Sequence, residues 1–228
     1  LSPTRRSSDL GWKHPNLGIL AQLARVGMPI SVTFMLELGL FTAVSYAAGS
    51  LGADVLASHQ IAFQTMALIF MVPLGMSQAV TARVGLWFGK GDMAGARRAG
   101  LVAIAFTMGF LSLSAIALYY TRSTAVALFI DTQDPQNTAV TVLATNLLLV
   151  SVVAQIVDGV QRVAMSALYG LQDSGVPMVM SAIAYWGIGL TTGYVLCFTV
   201  GWGAVGLWVG QNTRSEEHTS ELQSPVPI

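Results

Sequence analysis

Apolar residues arrive in long runs, and short polar or glycine-rich breaks separate them. Runs of about 20 mostly apolar residues match a membrane helix, because a hydrocarbon core ~30 Å thick admits only backbone whose polar groups are bonded internally. The first run covers residues 26–48, after a lead that holds Lys13 and Arg25. The turn GSLGAD then leads to a second, residues 55–84, which contains Pro73 as an interruption and stops at WFGKGD. A third spans residues 99–120 and is followed by TRSTAVALFIDTQDP, expected as a loop with a small amphipathic piece. The fourth, residues 138–168, ends at YGLQDSGVP, where Gly170, Gly175 and Pro177 are helix-stopping signals. A fifth occupies residues 178–200, and a sixth begins at Leu207 and is cut at about Gln211. The pattern predicts an all-α polytopic membrane protein with five complete spans and the start of another.

Composition agrees with that pattern and removes other classes. Of 228 residues 54% are hydrophobic and 10% charged, too few charges to cover a water-soluble surface. Eleven basic residues balance eleven acidic ones and no basic run occurs, so nucleic acid is not an expected partner. A single cysteine, Cys197, excludes an intrachain disulfide framework and thiolate zinc clusters.

The ends differ from the middle. PTRRSSDL near the start and RSEEHTSELQS near the finish resemble in-frame translations of the two common short-read sequencing adapters. On this reading residues 1–10 and most of 212–228 are non-native tails, and residues 11–211 form one helical domain truncated in its last helix.

Basic residues give an orientation, since Lys and Arg collect on the cytoplasmic side. Lys13, Arg25, Arg83, Lys90, Arg97, Arg98 and Arg162 fall on one face and only Arg122 on the other, which makes the Lys90 to Arg98 connection cytoplasmic. The pairs Gly189 with Gly193 and Gly206 with Gly210 suit close helix approach, and the ten methionines are read mainly as packing.

Five native acids sit in predicted loops, which leaves Glu37 in the first span and Asp158 in the fourth. An acid at a helix centre costs about 2.5 to 3.5 kcal/mol on insertion scales, so each calls for a partner or a task. Pairing of Asp158 with Arg162 one turn later is the structural option. Pro29, Thr33, Glu37 and Phe41 share a helical stripe, as do Ser151, Gln155, Asp158 and Arg162, with Gln161 beside them. Gln60 and Gln64 give the second span a weaker polar stripe with His59 next to it, a proton carrier or a satisfied interfacial histidine. Facing stripes make a cavity in which a carboxylate exchanges a proton, a sodium ion and a cationic ligand, the minimum for antiport.

The runs RVGMPISVTFMLELGLF, LGADVLASHQIAFQTMALIFMVPLGMSQAVTARVGLWFGKGD and QIVDGVQRVAMSALYGLQDSGVP resemble the second half of multidrug and toxin extrusion (MATE) transporters of the NorM-like bacterial branch. The likeness covers nearly all of residues 11–211. It implies helices 7 to 12 of a twelve-helix, two-bundle transporter in the bacterial inner membrane, which expels cationic drugs or toxins in exchange for sodium or protons and needs no cofactor. It also implies that the partner six-helix bundle is missing, and that the fragment alone does not transport. Glu37 and Asp158 match the family's acids in the seventh and tenth helices and are the implied sites for sodium or a proton. A tyrosine that some relatives place one turn before the second acid is Ala154 here, which leaves the coupling ion open.

Three rival readings remain, of which a purely structural membrane subunit would have no use for Glu37 and Asp158 at that depth. A lipid-linked precursor flippase of the same superfamily would want several cations within its cavity to hold a pyrophosphate. An intramembrane aspartyl protease is suggested only by GKGD at Gly89 to Asp92, four residues beside Arg97 and Arg98.

Overall fold

A computed structural model of the chain describes residues 17–221, with side chains up to residue 212 apart from Gln22. The tail of residues 1–10, Lys13 and residues 222–228 lie outside the described residues. Six helical rods follow one another: α1 (Leu17–Ser50), α2 (Ala53–Gly89), α3 (Met93–Ala127), α4 (Thr138–Gly170), α5 (Gly175–Thr199) and α6 (Gly203–Glu221). The first five are long and apolar enough to cross a membrane.

Each apolar run becomes a helix longer than its hydropathy predicts. At 35 residues α3 measures about 50 Å, well beyond a ~30 Å hydrocarbon core. It therefore takes in residues 121–127, expected as loop, and seats Val126 in the core. At its other end Asp92 caps the helix by accepting the Gly95 N–H at 2.8 Å. That cap draws Arg97 and Arg98 into the first turns of α3 and shrinks the expected Lys90 to Arg98 connection to Lys90, Gly91 and Asp92. Pro73 does not interrupt α2, which runs unbroken for 37 residues. The backbone freed by proline is tolerated inside a bundle, and Pro73 is buried beside Gly159 of α4. The last helix begins at Gly203 rather than Leu207, and its backbone continues past Gln211 to Glu221.

The bundle has two layers. In one, α2, α3 and α4 pack mutually through Val80, Val84, Ala96, Ala103 and Val163 at one end and Ile61, Leu118, Val140 and Leu147 toward the other. In the second, α1, α5 and α6 meet through Leu40, Val44, Tyr185, Cys197 and Leu207. Close approach depends on glycine at two points. A Cβ on Gly159 would come within 2.1 Å of Leu111 Cδ1, and one on Gly210 within 2.1 Å of the Gly193 backbone nitrogen. Of the expected small-residue pairs, Gly193, Gly206 and Gly210 thus sit where α6 closes onto α5. Large apolar side chains such as Tyr46, Leu68, Leu113 and Val153 point outward, as a lipid-facing surface requires.

Much of α5 is not α-helical. Ile183–Leu190 and Val195–Thr199 are π-helical, a widened winding that shifts side chains round the axis and is frequent at functional sites. Tyr185 lies in the first of these stretches and faces the space between the layers.

Candidate functional site

Between the layers lies a cavity of about 300 Å³ with mostly apolar walls. Phe34, Glu37 and Phe41 come from α1, a run from Phe63 to Leu74 from α2, and Ser151, Gln155, Asp158 and Arg162 from α4. Tyr185 of α5 and Trp208, Gln211 and Asn212 of α6 complete it. The whole predicted α4 stripe faces this space. Its period holds because a regular helix brings residues three and four apart onto one side.

Glu37 and Arg162 form an ion pair, with the guanidinium donating from Nη2 to Glu37 Oε1. Both side chains are largely buried, at 12% and 13% exposure. The pair joins α1 to α4, two helices that do not otherwise pack closely. The sequence-based option paired Arg162 with Asp158, its neighbour one turn away on the same helix. The guanidinium meets the Glu37 carboxylate across the cavity and lies over the Phe34 ring at 5.7 Å. Counting Glu37, Asp158 and Arg162, the described lining carries one net negative charge.

Four predicted lining residues fall elsewhere. Thr33 is buried, with its hydroxyl donating back to the Pro29 carbonyl at 3.0 Å, and the cavity wall begins at Phe34 instead. Gln60 and Gln64 are exposed, because His59 and Phe63 occupy the inward face of α2 and one residue farther turns a side chain by ~100°. His59 sits behind the wall. Its Nδ1 accepts the Trp208 indole N–H at 3.0 Å and its Nε2 meets the Ser45 hydroxyl at 3.0 Å. An indole can only donate, so Nδ1 carries no proton and the ring is the neutral tautomer, satisfied on both sides. His59 thereby pins α1, α2 and α6 together.

Several lining residues had no sequence signal. Tyr185 is placed by π-helical winding, which a 3.6-residue period does not describe. Trp208 and Gln211 are three apart on α6, in the run that the sequence shows only as the start of a helix. Phe63, Met66 and Phe70 read as ordinary apolar packing, and only the facing α4 stripe marks them as a wall.

The polar atoms of the α4 stripe are unevenly satisfied. Ser151 donates to the Leu147 carbonyl at 2.9 Å, and Gln155 Nε2 to the Val152 carbonyl at 3.3 Å. The Oε1 atoms of Gln155 and Gln211 are buried with no hydrogen-bond partner. No group of three or more His, Cys, Asp or Glu residues suited to a metal occurs among the described residues. Asp92 of the GKGD sequence is engaged in capping α3 and stands apart from both span acids.

The family model described as MatE matches residues 29–195. The multidrug resistance protein NorM of Burkholderia vietnamiensis is 44% identical over 196 residues, covering 86% of this chain and 42% of the relative. Among solved structures, a Vibrio cholerae MATE transporter superposes with a TM-score of 0.80 at 18% identity, over 90% of this chain and 46% of the other. A transporter of the MOP superfamily from Pyrococcus furiosus, described as having a binding pocket of reverse polarity that suggests a different function, superposes at 0.74 with 17% identity, over 88% and 43%. The chain thus spans about two fifths of the length of the curated relative it matches.

Proposed function

The chain belongs to the MatE family, and from that premise we propose that it supplies one six-helix bundle of a transporter that exports small cationic drugs or toxins in exchange for sodium ions or protons. The observation that carries this reading is the cavity itself: two carboxylates, Glu37 and Asp158, brought from α1 and α4 to one apolar space whose described lining is net negative. A cation entering that space and a coupling ion compete for the same carboxylates, so release of one accompanies capture of the other. Alternating access requires two bundles to rock about the site. Half of such a pair binds cations and does not transport them.

The flippase reading takes its support from Arg162 and from the Pyrococcus furiosus neighbour, whose own pocket is described as being of reverse polarity. Here the one cavity arginine is neutralised by Glu37, which leaves no surplus cation among the described lining to hold a pyrophosphate.

The membrane is the bacterial inner membrane, with the Lys90 turn in the cytoplasm. Arg83, Lys90, Arg97 and Arg98 are all exposed at that end, and Arg83 and Lys90 both lie over the Trp87 ring, an interfacial anchor. Since Cys197 is the one cysteine and is buried, a Lys90→Cys chain should react with a membrane-impermeant maleimide in inside-out vesicles and not in intact cells. For the function, the parent transporter is placed in cells stripped of their own pumps. It should lower ethidium accumulation, and an imposed sodium or proton gradient in reconstituted vesicles identifies the driving ion. Failure of both gradients to drive ethidium movement defeats the antiport reading.

A further inference from the structure

We propose that a groove between α2 and α3, on the far side of α2 from the cavity, binds an anionic phospholipid of the phosphatidylglycerol type, with its phosphodiester between Arg83 and Arg98 and an acyl chain along the apolar wall beyond them. The inference concerns a surface that the cation-efflux reading does not use.

The groove encloses about 740 Å³. Met76, Arg83 and Trp87 line it from α2, and Arg98, Val102 and Phe106 from α3. Their order sorts charge from hydrocarbon: Arg83, Trp87 and Arg98 stand near the turn that joins the two helices, and Met76, Val102 and Phe106 lie deeper in the spans. From Met76 to Trp87, as from Gly95 to Phe106, a helix rises about 16 Å, the depth of one leaflet of a ~30 Å core. Ala79, Ala99 and Ala103 also line the groove, and their methyl groups leave room for a chain between the helices.

This surface faces away from the cavity. At a 3.6-residue period Met76, Arg83 and Trp87 stand on nearly the opposite side of α2 from Phe63, Ala67 and Leu74, which line the cavity. A second bundle that closes over the cavity therefore leaves the groove to the lipid. Val102 and Phe106 are 62% and 55% exposed, so the wall opens outward.

Charge identifies the headgroup. Both guanidiniums are exposed, and among the described residues neither is in an ion pair. Arg83 lies over the Trp87 ring at 5.8 Å, which holds it at the interface without cancelling its charge. Asp92 is the acid of the lining, and its Oδ1 accepts the Gly95 N–H as the cap of α3. Two cations against one carboxylate leave one net positive charge, the complement of a lipid with a phosphodiester and no ammonium. Lys90 and Arg97 strengthen the positive field at the same end. A free phosphate would engage the arginines alone and leave the apolar wall without a role, so the occupant is amphiphilic.

The test equilibrates the full chain in detergent micelles with equal amounts of phosphatidylglycerol, phosphatidylethanolamine and phosphatidylcholine of identical acyl chains, and counts the retained lipids by native mass spectrometry. Phosphatidylglycerol should be retained about fivefold or more over either zwitterionic lipid. R83Q/R98Q should remove that preference, while Arg97→Gln, beside Arg98 but outside the lining, should keep it. Ala79→Phe, which fills the groove without changing its charge, should lower retention of phosphatidylglycerol, and an excess of the chain-free headgroup glycerophosphoglycerol should not displace the lipid. Equal retention of the three lipids by the unaltered chain, or a preference for phosphatidylethanolamine, overturns the inference, and this comparison needs no variant to fold. In chains whose circular dichroism matches the unaltered one, a preference that R83Q/R98Q keeps, or that Arg97→Gln loses as fully, also overturns it in favour of a general attraction to basic surface. Unchanged retention by Ala79→Phe, or displacement by the chain-free headgroup, overturns it in favour of a site for a free anion.

Discussion

Arg162 of α4 donates to Glu37 of α1 across the wall of the cavity, so one of the two span acids is held by a cation of the chain itself. Asp158, one turn before Arg162 on the same helix, lines the same cavity. The pair does two things at once: it fastens α1 to a helix it barely touches, and it sets the cavity at one negative charge instead of two.

Removing the cation should therefore change which charges the cavity accepts. Arg162→Gln exposes the Glu37 carboxylate and makes the described lining doubly negative, so the affinity for doubly charged propidium relative to singly charged ethidium should rise about tenfold, ~1.4 kcal/mol. The double variant E37Q/R162Q restores a single negative charge and should return the ratio to that of the unaltered chain. Dialysis of both dyes checks this, and an unchanged ratio in Arg162→Gln contradicts the charge assignment.

Breaking the pair on one side should also loosen the bundle. A buried guanidinium or carboxylate deprived of its partner costs on the order of 3 kcal/mol, so Glu37→Gln should unfold at a lower temperature in nanodiscs. The double variant should recover part of that loss, as measured by thermal denaturation followed by circular dichroism.

His59 is expected to matter for stability and not for proton movement. His59→Phe keeps a ring of similar size but leaves the Trp208 indole N–H buried and unpaired, which costs about 1–3 kcal/mol. The pH profile of ethidium efflux by the parent transporter should keep its shape. A profile that flattens in this variant would make His59 a proton carrier.

Gly210→Ala should detach the sixth helix. The new methyl group meets Gly193 backbone, which has no flexible side chain to yield, so α6 must move away from α5. Trp208 and Gln211 ride on α6, and ethidium binding should fall at least tenfold, while Gly75→Ala, where nothing lies within 4 Å, should leave it unchanged.

The fold was legible because membrane spans are written in composition: runs of apolar residues need only be counted, and the five complete spans appear where hydropathy places them. Their ends were not legible. Helices continue beyond the hydrocarbon whenever caps and packing support them, as Asp92 and Val126 do for α3. In the site, the stripe of Ser151, Gln155, Asp158 and Arg162 could be read because it lies on one regular helix. The partner of Arg162 could not, since spacing along a helix says nothing of a carboxylate 125 residues away in sequence. Thr33 and His59 were misplaced for a related reason. Period fixes a face, but only the neighbouring helices decide whether that face meets a cavity or another helix. Tyr185 was hidden by its π-helical winding.

The most direct test is ethidium efflux by the parent transporter in pump-deficient cells, compared among the unaltered protein, Asp158→Asn and Glu37→Gln at equal membrane abundance. Asp158→Asn should lower efflux at least tenfold, and Glu37→Gln, which removes the guanidinium's cross-helix partner and brings the lining to zero net charge, should also lower it. Normal export by both variants would contradict carboxylate-coupled cation exchange at this site.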